Sequence, residues 1–564
     1  MKINIILIFQ FTNYRNVLIR NTDTAHSNSK QPRFSAPGSK LDFLPLLQER
    51  SNYKFIVQQL QKLLYLAEPH MGHLYTALIA DAAVRFQLLL KEDASPLFST
   101  GTDEHGSKIQ KARYQSLFDS CGIKYTHFIR TSDAAHKEAV QHFWIELEKR
   151  GHITPGSYSG WYCSADEAFL TDLQLKTVKN ADNTEMKVSA ESGRVVEWTE
   201  ESNFKFNLGK FIPDVLHWLK TEQPVEPKPF HDLLLHWITE LQNEGFTDLS
   251  VSRPSSRVHW GIQVPGHPEQ TIYVWLDALV NYLTVAGYPK NISKWPPDVH
   301  VLGKDILKFH GLYWPAFLIA AGLEPPRKLR VHAHWTVDGE KMSKSVGNVI
   351  NPFEKIEFFS VSGYRYFLLR EGTPHSDANY SETKILRMLN SELADSLGNL
   401  LNRCTGSAIN VMQAFPAFAA SEFDKLRQDN KDLADLANRI ENLQDEVRHH
   451  YEAFNFYKGI EYTILTVHVI NRFFEHCEPW NLKKDPAKSE KLQCVLHATM
   501  ESLRICAIAL SPVIPVLSST LLDKLSVAKD KRSWKNLVPS WKRKDSDGDL
   551  ALSKEKVVLF QRIK

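Results

Sequence analysis

His70-Met71-Gly72-His73-Leu74-Tyr75-Thr76-Ala77-Leu78 opens a stretch in which apolar residues return at every fourth position: Leu74, Leu78, Ala82 and Phe86, with Ile79 and Ala83 widening the same face. That is the spacing of an amphipathic helix, and it puts both histidines on the first turn. The unpaired N–H groups and the macrodipole at such an end favour an anion such as phosphate. Next comes Pro96-Leu97-Phe98-Ser99-Thr100, a short strand-like run. It leads into the polar loop Gly101-Thr102-Asp103-Glu104-His105-Gly106, and a further helical run begins near Lys108. Strand, polar loop and helix form the unit of a doubly wound parallel sheet, whose ligands bind beyond the strand C-termini. Far downstream, Lys341-Met342-Ser343-Lys344-Ser345 sets two lysines on a short polar turn. An HxxH pair is common on ordinary helices and a lysine turn is common on surfaces, so only the two in combination carry weight.

Composition bounds the reading. A chain of 564 residues with 43% hydrophobic content suggests three or four globular domains. Lys plus Arg at 68 against Asp plus Glu at 65 leaves little net charge, so an RNA partner would be met by local patches. The six cysteines form no CxxC pair, which fits buried thiols in a reducing compartment. The longest apolar candidate, Ile3 to Phe9, is too short to span a bilayer, so no membrane association is expected. Residues 1–40 carry Lys2, Arg15, Arg20, Lys30, Arg33 and Lys40 against the single acid Asp23, the composition of a mitochondrial targeting segment. The rival is a secretory signal on residues 3–9, which a thiol-bearing, nucleotide-using body argues against.

Residues 151–250, with Gly151, Pro155, Gly156 and Gly160 followed by aromatic and charged runs, read as an insertion. The sheet pattern resumes at Thr271-Ile272-Tyr273-Val274-Trp275-Leu276-Asp277 and at Val299-His300-Val301-Leu302-Gly303-Lys304-Asp305. After Ser381 long helical patterns with few glycines continue to about residue 525, including Leu433 to Tyr451 and Tyr462 to Phe474. The expected division is targeting segment 1–40, catalytic halves 41–150 and 251–330 around the insertion 151–250, a lysine-turn region 331–380, a helical domain 381–525, and a polar C-terminal segment 526–564, with residues 526–550 a mobile surface stretch before a short closing piece.

The two motifs, in this order, resemble those of class I aminoacyl-tRNA synthetases. The resemblance narrows through Gly101 to Gly106 with Lys108-Ile109-Gln110, Gly160-Trp161-Tyr162-Cys163 with Asp166-Glu167, Tyr273 to Leu279 with Tyr282, Gly303-Lys304-Asp305-Ile306 with Phe309-His310, and Lys341 to Ser345 with Gly347-Asn348. Together these resemble the methionyl-tRNA synthetases in their organellar form, in order from about residue 65 to residue 480. The resemblance implies an α/β fold: a class I Rossmann-like parallel sheet, an inserted connective domain and an all-α anticodon-binding bundle. It implies methionine, ATP with Mg2+ and tRNA(Met) as substrates, in the mitochondrial matrix. His70, His73, Lys341 and Lys344 would be catalytic, and His70, Gly72, His73, Gly303, Asp305 and Lys344 would hold ATP. Asp103 would receive the methionine ammonium, with Tyr65, Trp275, Tyr282 and His310 around the thioether; such a group is selected by aromatic shape because it has no strong hydrogen-bonding atom. Asn399, Arg403 and Trp480 match anticodon-reading positions, where an indole stacks on an unstacked base.

The chain departs from the family's pattern at two places. Many members carry cysteine pairs on zinc-bearing knuckles in the insertion. Here only Cys163 is present and Leu173 to Glu197 holds no Cys or His, so metal is not expected. Before His70, Val57 to Pro69 lacks the family's asparagine, and Tyr65 stands in for its pocket tyrosine. Leu279 replaces a proline found in some members. The rivals are a class I synthetase for valine, isoleucine, leucine or cysteine, and a catalytically silent RNA-binding paralogue. The insertion is too short for an editing domain and lacks ligands for thiol-selecting metal, while the retained histidines and Lys344 speak against the paralogue. No appended dimerisation module is evident, so a monomer is expected.

Overall fold

The computed structural model describes residues 5–7, 69–104, 111–163, 168–170, 175–179, 185–190, 193–245, 248–342, 347–543 and 548–564. The expected targeting segment, apart from residues 5–7, and the altered stretch 57–68 lie outside them.

In chain order the first elements are β1 (Ile5–Leu7), α1 (Met71–Leu90), β2 (Leu97–Thr102), α2 (Lys111–Ser120), β3 (His127–Arg130) and α3 (Ala134–Lys149). The insertion follows with β4 (Ile153–Cys163) and β5 (Glu197–Phe206), paired antiparallel along their length. Then come α4 (Ile212–Glu222), β6 (Val225–Glu226), α5 (Lys228–Glu244), α6 (Val274–Ala286), β7 (Val299–Gly303) and β8 (Leu329–His332). Six strands form one parallel sheet in the order β3-β2-β1-β7-β8-β6. The order reverses between β1 and β7, and a doubly wound sheet binds its ligands beyond the strand ends at such a point.

Two elements depart from the expected division. Ile5–Leu7, set apart on the basicity of residues 1–40, supplies the central strand, with Ile6 registered opposite both Phe98 and Val299. Central parallel strands are covered on both faces, so an unbroken apolar run suits the position. The chain also returns to the catalytic body well before residue 250. Val225–Glu226 pairs with β8, and Val215, Leu219, Leu234 and Ile238 join the buried cluster that contains Leu276, Leu302 and Phe317.

Beyond β8 a small sheet is built from β9 (Trp335–Val337), β10 (Glu340–Lys341) and, after helix α7 (Val361–Glu371), β11 (Ala378–Tyr380). Asp338 and Gly339 both take positive φ, the turn that best matches the twist of a two-residue hairpin. The helical region follows, with α8 (Lys431–Glu452), α9 (Phe456–His476) and α10 (Ser489–Leu510) as its long members. Among the described residues no helix is long and apolar enough to cross a membrane.

Residues 526–550, expected as a mobile polar stretch, are packed on the bundle where they are described, and the short closing piece is packed with them. Leu550–Ala551 pairs with Ala414–Phe415, Trp534, Leu552, Leu559 and Phe560 are buried, and the Ile563 N–H donates to Asn390. Buried Glu501 anchors this return: it accepts from Arg504, Arg543 and the Ser540 N–H. Burial alone would raise its carboxyl, but Arg504 and Arg543 overcome that and hold it at about 2. The anchoring residues are too widely spaced to give a periodic signal.

Helix α1 was expected to bury one face. Instead it is covered nearly all round, by the sheet on one side and by α7 and the bundle on the other, and Asp81 on it is fully buried. Arg365 of α7 meets Asp81 at 2.6 Å and donates to the carbonyls of Cys121 and Val513. Arg365→Met leaves this buried carboxylate, among the described residues, with Arg85 and the Lys124 N–H. It should therefore lower the stability of the catalytic body by ~3–5 kcal/mol in denaturant unfolding. A midpoint unchanged from the parent chain would mean that the ion pair is dispensable.

Candidate active site

The first turn of α1 is closed by its own histidines. His70 is the N-cap in extended conformation: its Nδ1 accepts from the Gly72 N–H at 3.1 Å, while the His70 N–H donates to His73 Nδ1 at 3.1 Å. The arrangement is a capping box built from two imidazoles, with the rings stacked at 3.7 Å. A neutral imidazole that accepts at Nδ1 carries its proton on Nε2, so each ring presents an Nε2–H donor at a helix N-terminus. A Cβ on Gly72 would lie 2.9 Å from His70 Cε1, so a larger residue there would push the imidazole off its cap. The Tyr114 hydroxyl, which sequence reasoning missed, reaches His73 Nδ1 at 3.2 Å.

Across the switch point, β7 ends at Gly303, and Asp305 follows in a short 3-10 turn. The Asp305 carboxylate folds back over Gly303, where a Cβ would meet Oδ1 at 2.6 Å and displace it. His334 Nε2 lies 3.3 Å from that carboxylate, and Lys304 pairs with Asp377. The lysine turn leaves the β9–β10 hairpin, where Lys341 pairs in register with Thr336. Lys344 lies outside the described residues, as does Tyr65. The segment beyond the turn is fixed to the histidine helix, since the Met71 N–H donates to the Ile350 carbonyl at 3.3 Å.

Asp103 stands just past the end of β2, 2% exposed, and accepts from the Thr131 hydroxyl at 3.3 Å. Trp275, on the first turn of α6, stacks on Phe309 with ring centres 3.4 Å apart and planes within 8°. Phe309 and His310 share a π-type turn, Phe309–Tyr313, a local distortion common at functional sites. His310 is fully buried, with Nδ1 3.0 Å from the Ile306 carbonyl and Nε2 2.8 Å from the Tyr282 hydroxyl. Nδ1 therefore holds the proton and Nε2 accepts from Tyr282. Burial lowers His310 to about 4 and pushes the Tyr282 phenol up, so both are neutral at pH 7. The group is thus aromatic, neutral and internally hydrogen-bonded.

Asp277 does not join this group. It meets His136 Nε2 at 2.8 Å, and His136 Nδ1 lies 3.0 Å from Thr284, so it fastens α6 to α3. His300, which sequence reasoning gave no role, packs 4.1 Å from the Tyr282 ring, with neither ring nitrogen hydrogen-bonded among the described residues. In the helical region Arg403 lies over Trp480 at 5.4 Å and pairs with Glu475, and Asn399 is exposed one turn before it. The three expected anticodon-side residues are thus brought to one part of the bundle. Among the described residues no group of three or more His, Cys, Asp or Glu could hold a metal ion.

The buried histidines set a pH response. For His310 and His332, each lowered from 6.5 to about 4 mainly by burial, the unfolded chain takes up protons first as pH falls. Their contribution is therefore fully present above pH 6.5 and is lost toward pH 4, with a slope of about 1.4 kcal/mol per pH unit for each. Unfolding midpoints measured from pH 7.5 to 4.5 should fall with pH, and His310→Gln should flatten the fall. An identical slope in that variant would exclude His310 as a contributor.

Residues 62–405 match the family described as tRNA synthetases class I (M). The mitochondrial methionine-tRNA ligase of Homo sapiens is 45% identical over 497 residues, 83% of either chain. The probable mitochondrial methionine-tRNA ligase of Dictyostelium discoideum is 40% identical over 530 residues, 88% of this chain and 90% of its own. Among solved structures, Mycobacterium tuberculosis methionyl-tRNA synthetase bound by methionyl-adenylate matches with a TM-score of 0.77 at 33% identity, covering 88% of this chain and 97% of that one. Likeness of this depth along most of both chains goes beyond a shared sheet: the chain belongs to the methionine branch of the class I tRNA synthetases.

Proposed function

We propose that the switch-point cleft binds methionine and ATP side by side, forms methionyl-adenylate with release of diphosphate, and passes the methionyl group to tRNA(Met) in the mitochondrial matrix. The observation that carries this reading is the capping box of His70 and His73, which forces two Nε2–H donors onto a helix N-terminus. A methionine carboxylate oxygen attacks the α-phosphorus and the bond to diphosphate breaks. Charge that builds on the phosphate oxygens is met by these donors on one side and by Lys344, with Lys341, on the other. Gly303 lets the backbone approach the ribose and Asp305 accepts from its hydroxyls. Asp103 receives the ammonium group, and Trp275, Tyr282 and His310 enclose the thioether, with Tyr65 as a further wall. In the second step a tRNA terminal hydroxyl attacks the carbonyl carbon and AMP leaves. Mg2+ enters with ATP as part of the substrate. The insertion works without zinc on this reading, and one zinc per purified chain by elemental analysis would overturn that part.

Two variants separate the halves of the site. Lys344→Ala should cut methionine-dependent ATP–pyrophosphate exchange by ~10² to 10³ with the methionine KM nearly unchanged, because its charge is needed as the phosphates rearrange. Asp103→Ala should raise the methionine KM instead, by the ~1.5–3 kcal/mol of a charge-assisted hydrogen bond. A shift in methionine KM alone for Lys344→Ala, or parent methionine kinetics for Asp103→Ala, would reverse the corresponding role.

Anticodon reading is assigned to Asn399, Arg403 and Trp480, supported by the Arg403–Trp480 contact. Trp480→Ala should lose a stacked base worth ~1–3 kcal/mol, so aminoacylation should fall at least tenfold relative to exchange in the same variant. An equal fall in both activities would make Trp480 a packing residue of the bundle.

A further inference from the structure

His332, at the end of β8, touches two of the segments assigned to ATP and begins the chain's path to the third. It is directly opposite Gly303 in the parallel register of β7 and β8, and its Cε1 would lie 3.6 Å from a Cβ on that glycine. Its Nε2 lies 2.7 Å from the hydroxyl of Thr76, on the second turn of the histidine helix, and the neighbouring Tyr75 meets its ring edge-on at 4.9 Å. Its Nδ1 is 2.8 Å from the Ala333 carbonyl, where the chain sets out toward the β9–β10 hairpin and the lysine turn.

The hydrogen bonds define the tautomer. A carbonyl only accepts, so Nδ1 carries the proton, Nε2 is the acceptor, and the Thr76 hydroxyl donates to it. Thr76 has one proton, and the Gly72 carbonyl stands 3.1 Å from the same hydroxyl as a competing acceptor. While the imidazole takes that proton, the first-turn carbonyl stays with its own backbone partners and the turn is held by His332. The groups facing the imidazole are Thr76, Tyr75, Gly303 and the Ala333 carbonyl, with Asp305 and His334 close enough to act on its charge. Burial keeps it neutral.

We infer that His332 is a positioning residue for the ATP step: through Thr76 it fixes the spacing between the His70–His73 turn and the Gly303 turn on which a bound nucleotide would rest. The inference relies on the reading of those two turns as the ATP site. A small displacement of one turn against the other changes the alignment of the reacting atoms and costs rate far more than it costs folding.

The test is steady-state ATP–pyrophosphate exchange with full-length protein, varying ATP and methionine separately, for His332→Asn, His332→Gln, Thr76→Val and the double variant Thr76→Val with His332→Asn. Asparagine can reproduce the Nδ1 donor but not the Nε2 acceptor, whereas the glutamine oxygen can reach the acceptor position. His332→Asn and Thr76→Val should each lower kcat/KM for ATP by roughly tenfold and leave the methionine KM unchanged. His332→Gln should retain most activity, and the double variant should be no worse than either single one. Parallel loss for ATP and methionine, parent-like activity in His332→Asn, or multiplying effects in the double variant would overturn the inference. Methionine-induced change in Trp275 fluorescence, measured without ATP, keeps the test valid by excluding misfolded protein. His73→Ala runs alongside: unchanged ATP kinetics there would remove the ATP-site reading itself, while silence confined to His332 and Thr76 removes only this inference.

Discussion

The carboxylate of Asp81 is the point on which the catalytic body is assembled. It sits fully buried on the histidine helix and is held by Arg365 at 2.6 Å, by Arg85 at 2.8 Å and by the Lys124 N–H at 2.8 Å. Arg365, itself almost fully buried, spends its remaining donors on the carbonyls of Cys121, Pro512 and Val513. Four parts of the chain therefore meet at one ion pair: the histidine helix, the crossover to β3, the helix after the lysine turn and the end of α10. An ion pair out of water gains little over well-packed apolar residues, but it cannot tolerate a change of geometry that leaves either partner alone. That intolerance holds the histidine helix in one orientation relative to the bundle. His70 and His73 project from the N-terminal end of this same helix.

The site depends on that rigidity because its own parts come from distant stretches and few of them touch. The His70–His73 turn, the Gly303–Asp305 turn and the lysine hairpin each have local reasons for their shape: a capping box, a carboxylate folded over a glycine, and a two-residue turn at Asp338–Gly339. Local reasons do not set the distances between them. Those come from the register of Gly303 with His332, the Thr76–His332 hydrogen bond and the bond from the Met71 N–H to the Ile350 carbonyl. The aromatic pocket is kept apart from this polar frame. Tyr282, His310 and the Ile306 carbonyl satisfy one another, so this group presents neutral surfaces.

Several residues show where sequence reasoning was sufficient and where it failed. His70, Gly72 and His73 were legible because a cap is a local structure, determined by residues within one turn of each other. Trp275 and His310 are named by resemblance alone, and the structure adds what no local pattern states: Trp275 stacks on Phe309, and His310 is tied to Tyr282 and to the Ile306 carbonyl. Asp277 lies inside the Tyr273 to Leu279 stretch that carries the resemblance, and its carboxylate belongs to His136 from a helix far away in the chain. The C-terminal segment looked polar because charged residues outnumber its anchors; Trp534, Leu552, Leu559 and Phe560 find their places only against a bundle that is already formed.

The helix that opens at His70 and its cap, the strand Leu97–Thr102 and, through resemblance, the methionine-specific family were legible in the residues themselves, because periodicity and caps depend on near neighbours in the chain. Residues 274–277, read as sheet, are instead the start of a helix. Tertiary structure decided which segments share the sheet and which charges find partners. Ile5–Leu7 becomes the central strand only because β2 and β7 present two open edges to it. Asp81, indistinguishable in sequence from a solvated helix residue, becomes the keystone only because Arg365 arrives from the far side of the fold. Hydrogen bonds and ion pairs are short-ranged, so the sequence can list their donors and acceptors, but only the folded chain brings them within reach.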